Sequence, residues 1–268
     1  MNPKSIERAL DRYRAFKDED VRRRLAIFGP LILEAAAISN ELDDEDIVVE
    51  REPTADETIA ASKPNGTPLL RAGFVRINAD SFCRCAKHLG SVLLKGLELD
   101  EKLSSAAQHF DFAPYCTEAL VRTASENPHG YLEAVVKLWD SGDADEALLD
   151  IFVLPVLGET LRAYLTRFAE KASGLLERSE EQKPSYSRTN TCFCCGSEPD
   201  IAAVVETTLR GNVKKLFCST CGVGIRNMAS SIYRAKAVLP SSGRVGSSSI
   251  STSSPFASKS GRRPYFIF

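Results

Sequence analysis

The sequence holds little of what enzymes draw on. Its histidines are three, His88, His109 and His129, and they are scattered. No nucleophile, base and orienting carboxylate can be assembled from their spacing, so the chain is expected not to be an enzyme. Long apolar runs are missing too: the longest candidate, residues 148–157, is interrupted by Asp150 and Pro155 and is too short to cross a bilayer. The first residues, MNPKSIERALDRYRAFKDEDVRRRL, are charged throughout and carry no secretory signal. A net charge of -2 argues against polyanion binding by the chain as a whole. These absences together predict a soluble, cytoplasmic protein.

Two further absences divide the chain. All 36 acidic residues lie at or before Glu206, which leaves the last 62 positions with none, and no cysteine follows Cys221. Ten of the last 28 residues are serine. Ten lysines and arginines are spread over those 62 positions in no cluster longer than two, which is too thin for a basic tail that grips nucleic acid or membrane. Residues 227–268 therefore read as a Ser-rich, disordered tail unable to offset its own ordering entropy.

What is present is a globular composition, 43% hydrophobic over 268 residues, and one dense stretch of chemistry. That stretch, TCFCCGSEPDIAAVVETTLRGNVKKLFCSTCG over residues 191–222, contains two C-x-x-C pairs, Cys192 with Cys195 and Cys218 with Cys221. Four soft ligands on two short knuckles are what one tetrahedral metal ion needs, with a hairpin between to bring the pairs together. Gly196 and Gly222 each follow the second cysteine, where a knuckle calls for positive φ and backbone N–H groups aimed at sulfur. Residues 202–209 and 213–217 read as strands, with Arg210, Gly211 and Asn212 as the turn. The unit, residues 191–226, is expected to be a zinc-ribbon or rubredoxin-like hairpin holding one zinc or iron ion on Cys192, Cys195, Cys218 and Cys221. Cys194 could replace Cys195, but only Cys195 has the standard spacing and precedes glycine. Structural disulfides would require an oxidising compartment, which nothing else suggests. Thiol exchange would require a C-x-x-C between a strand and a helix, and no βαβ pattern surrounds either pair.

Ahead of the hairpin the pattern is helical. Apolar periodicity predicts helices over 5–16, 21–40 with a break at Gly29 and Pro30, a segment starting at Asp80 as N-cap, then 100–109, 117–125, 131–139 and 146–176. The last is the most apolar, and Pro155 with Gly158 should kink or split it. The acidic, proline-bearing run EREPTADETIAASKPNGTP reads as a loop. Cys83, Cys85 and His88 share the helix that starts at Asp80, but a cysteine and a histidine three apart, without further ligands, read as a buried thiol and a surface imidazole; His109, Cys116 and His129 read likewise. The fold class is thus mainly α, a helical bundle at 1–178, a polar linker at 179–190 with Pro184, the metal hairpin and an irregular tail.

The run C-F-C-C-G-S-E-P, followed by a strand, a glycine turn and K-L-F-C-S-T-C-G, resembles the metal-binding domain of the formate dehydrogenase accessory proteins, the FdhE family. Gly196, Ser197 and Pro199 fall as in that family's knuckle, whereas Phe193 stands where it usually has proline. The order of helical domain, apolar last helix, polar linker and first C-x-x-C is similar as well, so the resemblance covers roughly residues 4–222. It implies an accessory protein, or chaperone, that binds the catalytic subunit of formate dehydrogenase during its maturation. Family members normally continue with a second set of C-x-x-C motifs. A shifted reading frame beginning close to Gly222 would explain the missing cysteines and acids: in that frame the codons of residues 246–255 can encode a stretch resembling the family's late F-x-H-I-x-V-E-A, and those of residues 232–238 permit L-P-C-x-x-C. A zinc-ribbon nucleic-acid binder is the other reading; Arg210, Lys214, Lys215 and Phe217 offer a little of the basic and aromatic surface it needs.

Overall fold

One helical column runs through the middle of the molecule. In the computed structural model, which describes residues 3–14, 17–63, 65–140, 145–182, 191–198, 201–207 and 211–226, the fold is mainly helical. The column consists of α8 (Glu146–Leu148), a π-helical turn (Leu149–Val153) and α9 (Leu154–Gln182). The chain does not split at Pro155. The turn ahead of the proline widens instead, with the Leu154 N–H reaching back to the Leu149 carbonyl, and a widened turn relieves the clash of a proline ring with the preceding coil. Residues 156–166 are buried at every position, which is how a helix surrounded on all sides behaves. Its buried hydroxyls close on its own backbone, Thr160 on Val156 and Thr166 on Arg162. The helix continues to Gln182, and residues 183–190 of the expected linker lie outside the described residues.

The other helices pack around this column. α1 (Pro3–Arg14) lies on α2 (Glu19–Glu41), with Leu10 over Gly29. The break foreseen at Gly29 and Pro30 does not occur either. Pro30 is exposed, and so is Ala26, whose carbonyl the proline deprives of a partner, so water can satisfy it. Asp18 caps α2 by accepting from the Asp20 and Val21 N–H groups. A short antiparallel pair, β1 (Ile47–Val49) with β2 (Val75–Ile77), brackets the segment read as a loop. That segment contains α3 (Ala55–Ala61), started by a reciprocal capping box between Thr54 and Glu57. A 3-10 turn (Leu69–Ala72) follows. α4 (Ala79–Leu94) is capped by Asn78, whose side chain accepts from the Ser81 N–H, and not by Asp80. α5 (Glu101–Gln108), α6 (Glu118–Glu126) and α7 (Pro128–Asp140) complete the body. No described helix is long and apolar enough to cross a membrane.

The C-terminal part of the described chain is an antiparallel sheet of β3 (Ile201–Thr207), β4 (Gly211–Phe217) and β5 (Gly224–Arg226) in that order. Thr207 pairs with Gly211 and Glu206 with Asn212. Gly211 and Asn212 of the expected turn are therefore strand residues, and residues 208–210, which include its Arg210, lie outside the described residues. The cysteines at the base of this sheet are not a separate small core. Cys192, Phe193, Cys194, Cys195, Cys218, Cys221 and Val223 belong to the same apolar cluster as Leu69, Leu70, Leu165 and Phe168 of the helical body. The expected tail, residues 227–268, lies outside the described residues.

Candidate metal centre

The two C-x-x-C segments fold alike. In the first, the Gly196 N–H donates to the Cys192 carbonyl at 2.7 Å and the Cys192 N–H donates to the Ser197 carbonyl at 2.7 Å. In the second, the Gly222 N–H donates to the Cys218 carbonyl at 2.8 Å and the Cys218 N–H to the Val223 carbonyl at 3.0 Å. Both glycines have positive φ, 82° and 73°, a region in which a Cβ is strained. The sequence places glycine at the one position in each knuckle where the chain must turn this way.

The fold brings Cys192, Cys195, Cys218 and Cys221 together, with their sulfur atoms all within 4.8 Å of one another. Across the knuckles, Cys192 Sγ is 3.6 Å from Cys221 Sγ and Cys195 Sγ is 3.4 Å from Cys218 Sγ. A tetrahedron with metal–sulfur bonds of about 2.3 Å has sulfur–sulfur edges of about 3.8 Å, whereas a disulfide would need about 2.05 Å. All four are free thiols with at most 1% exposure. The donor set and its spacing are compatible with one metal ion, fully enclosed. Cys194 is equally buried but stands outside this set, as its place inside the knuckle leads one to expect.

Without a cation these thiols compete for protons. Cys218 is pulled well below the ordinary thiol range because it accepts hydrogen bonds from Cys192 and then from Cys195 and Cys221. Cys192 is pushed up by burial, and Cys221 by its hydrogen bond with Cys192 and those with the neighbouring thiols. One thiolate is thus stabilised at the expense of its neighbours, and only a cation lets all four ionise together.

Each knuckle is also fastened to the helical body. The Leu69 and Leu70 N–H groups donate to the Phe193 and Cys194 carbonyls, both at 3.0 Å. On the other side Arg162 of α9 donates from Nε to the Ser219 carbonyl at 2.9 Å, and its Nη2 donates to the same oxygen. Arg162 Nη1 meets Glu159 Oε1 at 2.9 Å, with both side chains buried. Burial pushes the Glu159 carboxyl up, and the neighbouring Arg162 charge only partly offsets that. Composition and periodicity do not single out this pair, yet an acid and a base three apart in the most apolar helix were a readable sign that something buried needed them.

The other metal-ligating residue types sit apart. His88 Nε2 is 2.7 Å from Glu34 Oε1 on the surface, and His109 Nδ1 lies 2.9 Å from the Ser105 carbonyl. His129 faces Glu133 at 3.5 Å. Cys85 is buried, and desolvation raises its thiol to about 12, so it remains a neutral core side chain. Among the described residues, the four cysteines are the one cluster of this kind. The chain matches no protein-family model, no curated protein and no solved structure.

Proposed function

We propose that this chain is an accessory protein in the maturation of formate dehydrogenase, with a structural metal ion in a zinc-ribbon or rubredoxin-like hairpin. The observation that carries the reading is the closed four-sulfur cluster built on a C-x-x-C-G-S-x-P knuckle. Four buried thiolates leave no coordination position for substrate or water, which is the property of a structural centre and not of a catalytic one. Zinc and iron both suit four thiolates at this spacing. The ion would join the two knuckles and hold the sheet against the helical body, so that body and hairpin present one rigid surface to a protein partner. That partner, by the resemblance of the motif, is the catalytic subunit of formate dehydrogenase, met in the cytoplasm.

The test is a pull-down of purified catalytic subunit by the metal-loaded protein, alongside Cys218→Ser and chelator-treated protein. Retention by the loaded protein alone supports the proposal. No retention at micromolar concentrations by protein shown to carry stoichiometric metal would end it, and a salt-dependent shift of RNA or DNA in its place would favour the nucleic-acid reading. Elemental analysis of freshly purified protein decides between zinc and iron.

A further inference from the structure

Four thiolates around a divalent ion carry a net charge of about -2, set here among sulfurs that are almost wholly excluded from water. Such a charge is costly in a low-dielectric interior unless a cation or oriented dipoles lie close by. Arg71 comes near the first knuckle, its Nη2 3.9 Å from where a Cβ on Gly196 would sit, but it is exposed and its charge is screened by water. Arg162 is different: only 7% of it is exposed, and it touches the second knuckle directly.

We propose that Arg162 is the positioning and charge-compensating residue of the four-cysteine centre, held in place by Glu159 and acting through the Ser219 carbonyl. This rests on the reading of the four cysteines as a metal site. Ser219 lies inside the second knuckle, between Cys218 and Cys221. Two N–H groups of one guanidinium converge on its carbonyl, and a third donates to Glu159. A planar fork can hold three such bonds in one fixed arrangement, which a lysine cannot. The carbonyl and the following N–H share one rigid peptide plane, so pinning the oxygen sets the path of the turn that the Gly222 N–H closes on the Cys218 carbonyl. Glu159 has one carboxylate oxygen, Oε2, without a hydrogen-bond partner among the described residues. A buried acid kept at that cost is explained by what it does for its neighbour: it orients Arg162 toward the knuckle.

The experiment uses the full-length protein, loaded with Co2+ to measure affinity and with iron to measure the Fe(III)/Fe(II) potential, for wild type, Arg162→Gln, Arg162→Lys and Glu159→Gln. Loss of an outer-shell partner typically weakens a metal site 10–100-fold, and Arg162→Gln should weaken Co2+ on that order. The iron potential should move to more negative values in Arg162→Gln, because the reduced centre carries one more negative charge and loses a buried cation that touches its second knuckle. Arg162→Lys should restore the potential more fully than the affinity, since it returns the charge but not the fork. Glu159→Gln should move the potential the other way, to less negative values, because it removes a buried anion beside Arg162, and should weaken Co2+ less than Arg162→Gln does. A purely structural role predicts affinity loss with an unmoved potential, and that result, or unchanged Co2+ affinity in Arg162→Gln, would overturn the proposal. If Arg162→Gln does not fold, an Arg162→Lys protein with wild-type affinity and the wild-type cobalt spectrum would overturn the positioning role. Wild-type protein that takes up neither metal would remove the metal centre itself, a failure that is distinguishable because it precedes any variant.

Discussion

The two knuckles are the same object inside and different objects outside. Both close with the same pair of backbone hydrogen bonds and the same left-handed glycine. The first is attached to the body through backbone: the Leu69 and Leu70 N–H groups meet the Phe193 and Cys194 carbonyls, and Pro68 packs against Gly196. The second is attached through side chains, the buried Arg162 and Glu159, with Thr166 beside Gly222. Backbone attachment tolerates changes of side chain but not added volume; side-chain attachment tolerates volume but depends on particular residues. Their sensitivities to mutation should therefore be of opposite kinds, while the loss of any ligand should abolish the difference.

The largest effect is expected from that loss. Replacing Cys192, Cys195, Cys218 or Cys221 by serine should remove the metal, because three thiolates and a hydroxyl hold a soft ion poorly. Structural zinc can contribute about 10–16 kcal/mol of binding free energy to folding. Since the four cysteines share the apolar cluster of the helices, thermal unfolding should shift for the helical body as well, read by circular dichroism at a helical wavelength with and without chelator. Helices that melt at an unchanged temperature would show that the two parts are independent after all. Cys194→Ser should keep the metal, since that sulfur lies outside the set, and its loss there would reassign the first ligand pair.

Much of this centre was legible beforehand because it is written locally. C-x-x-C-G is a five-residue pattern whose turn, glycine conformation and ligand spacing are all contained within the motif. The attachments to the body were not legible in the same way. The Leu69 and Leu70 bonds are made by backbone groups, which any residue but proline supplies, to partners more than a hundred positions away. Glu159 and Arg162 did leave a trace, but a pair three apart on a helix also describes an ordinary surface ion pair. In the body, long periodic segments were found close to where they lie, whereas α3 was hidden by its proline and acid content although T-A-D-E is a capping-box pattern. Pro155 marked a disturbance of the helix but not its form: proline excludes a regular α-turn, and the chain met that restriction with a wider turn and without splitting.

Of intermediate size is the contrast between the two glycines. Holding a Cβ in the left-handed region costs roughly 1–2 kcal/mol at either site. At Gly196 the new atom would also lie 2.9 Å from Pro68 Cγ, whereas at Gly222 the nearest atom is Thr166 Oγ1 at 3.6 Å. Gly196→Ala should therefore weaken Co2+ binding and lower the unfolding temperature more than Gly222→Ala does. Pro68→Ala should recover part of the difference in the Gly196→Ala background, where a double-mutant cycle isolates the contact. Equal effects of the two glycine variants, or no recovery, would show that the first knuckle has as much room as the second.

The smallest effect concerns the support of the first knuckle. α3 packs against the 3-10 turn of residues 69–72 that supplies the Leu69 and Leu70 N–H groups, so its cap acts on the knuckle at one remove. Thr54→Ala removes the oxygen that accepts from the Glu57 N–H and should cost about 1 kcal/mol, the usual worth of an N-cap, leaving the metal in place. The same cap responds to acid. The Arg51 guanidinium hydrogen-bonds the Glu57 carboxylate and, with the Thr54 N–H, holds its pKa down at about 2. An acid whose pKa is depressed on folding stabilises the fold above its ordinary range, near 4.5, and that contribution is lost as the pH falls through about 2. The protection factors of the α3 amides, which take out the intrinsic slowing of exchange in acid, should accordingly fall between these limits in wild type and change less in Glu57→Gln. Thr54→Ala should loosen the Phe193 and Cys194 side of the centre slightly and leave the Ser219 side untouched. If exchange near Ser219 quickens equally, the two attachments are coupled through the metal, and the difference between the knuckles is one of geometry without independent energetics.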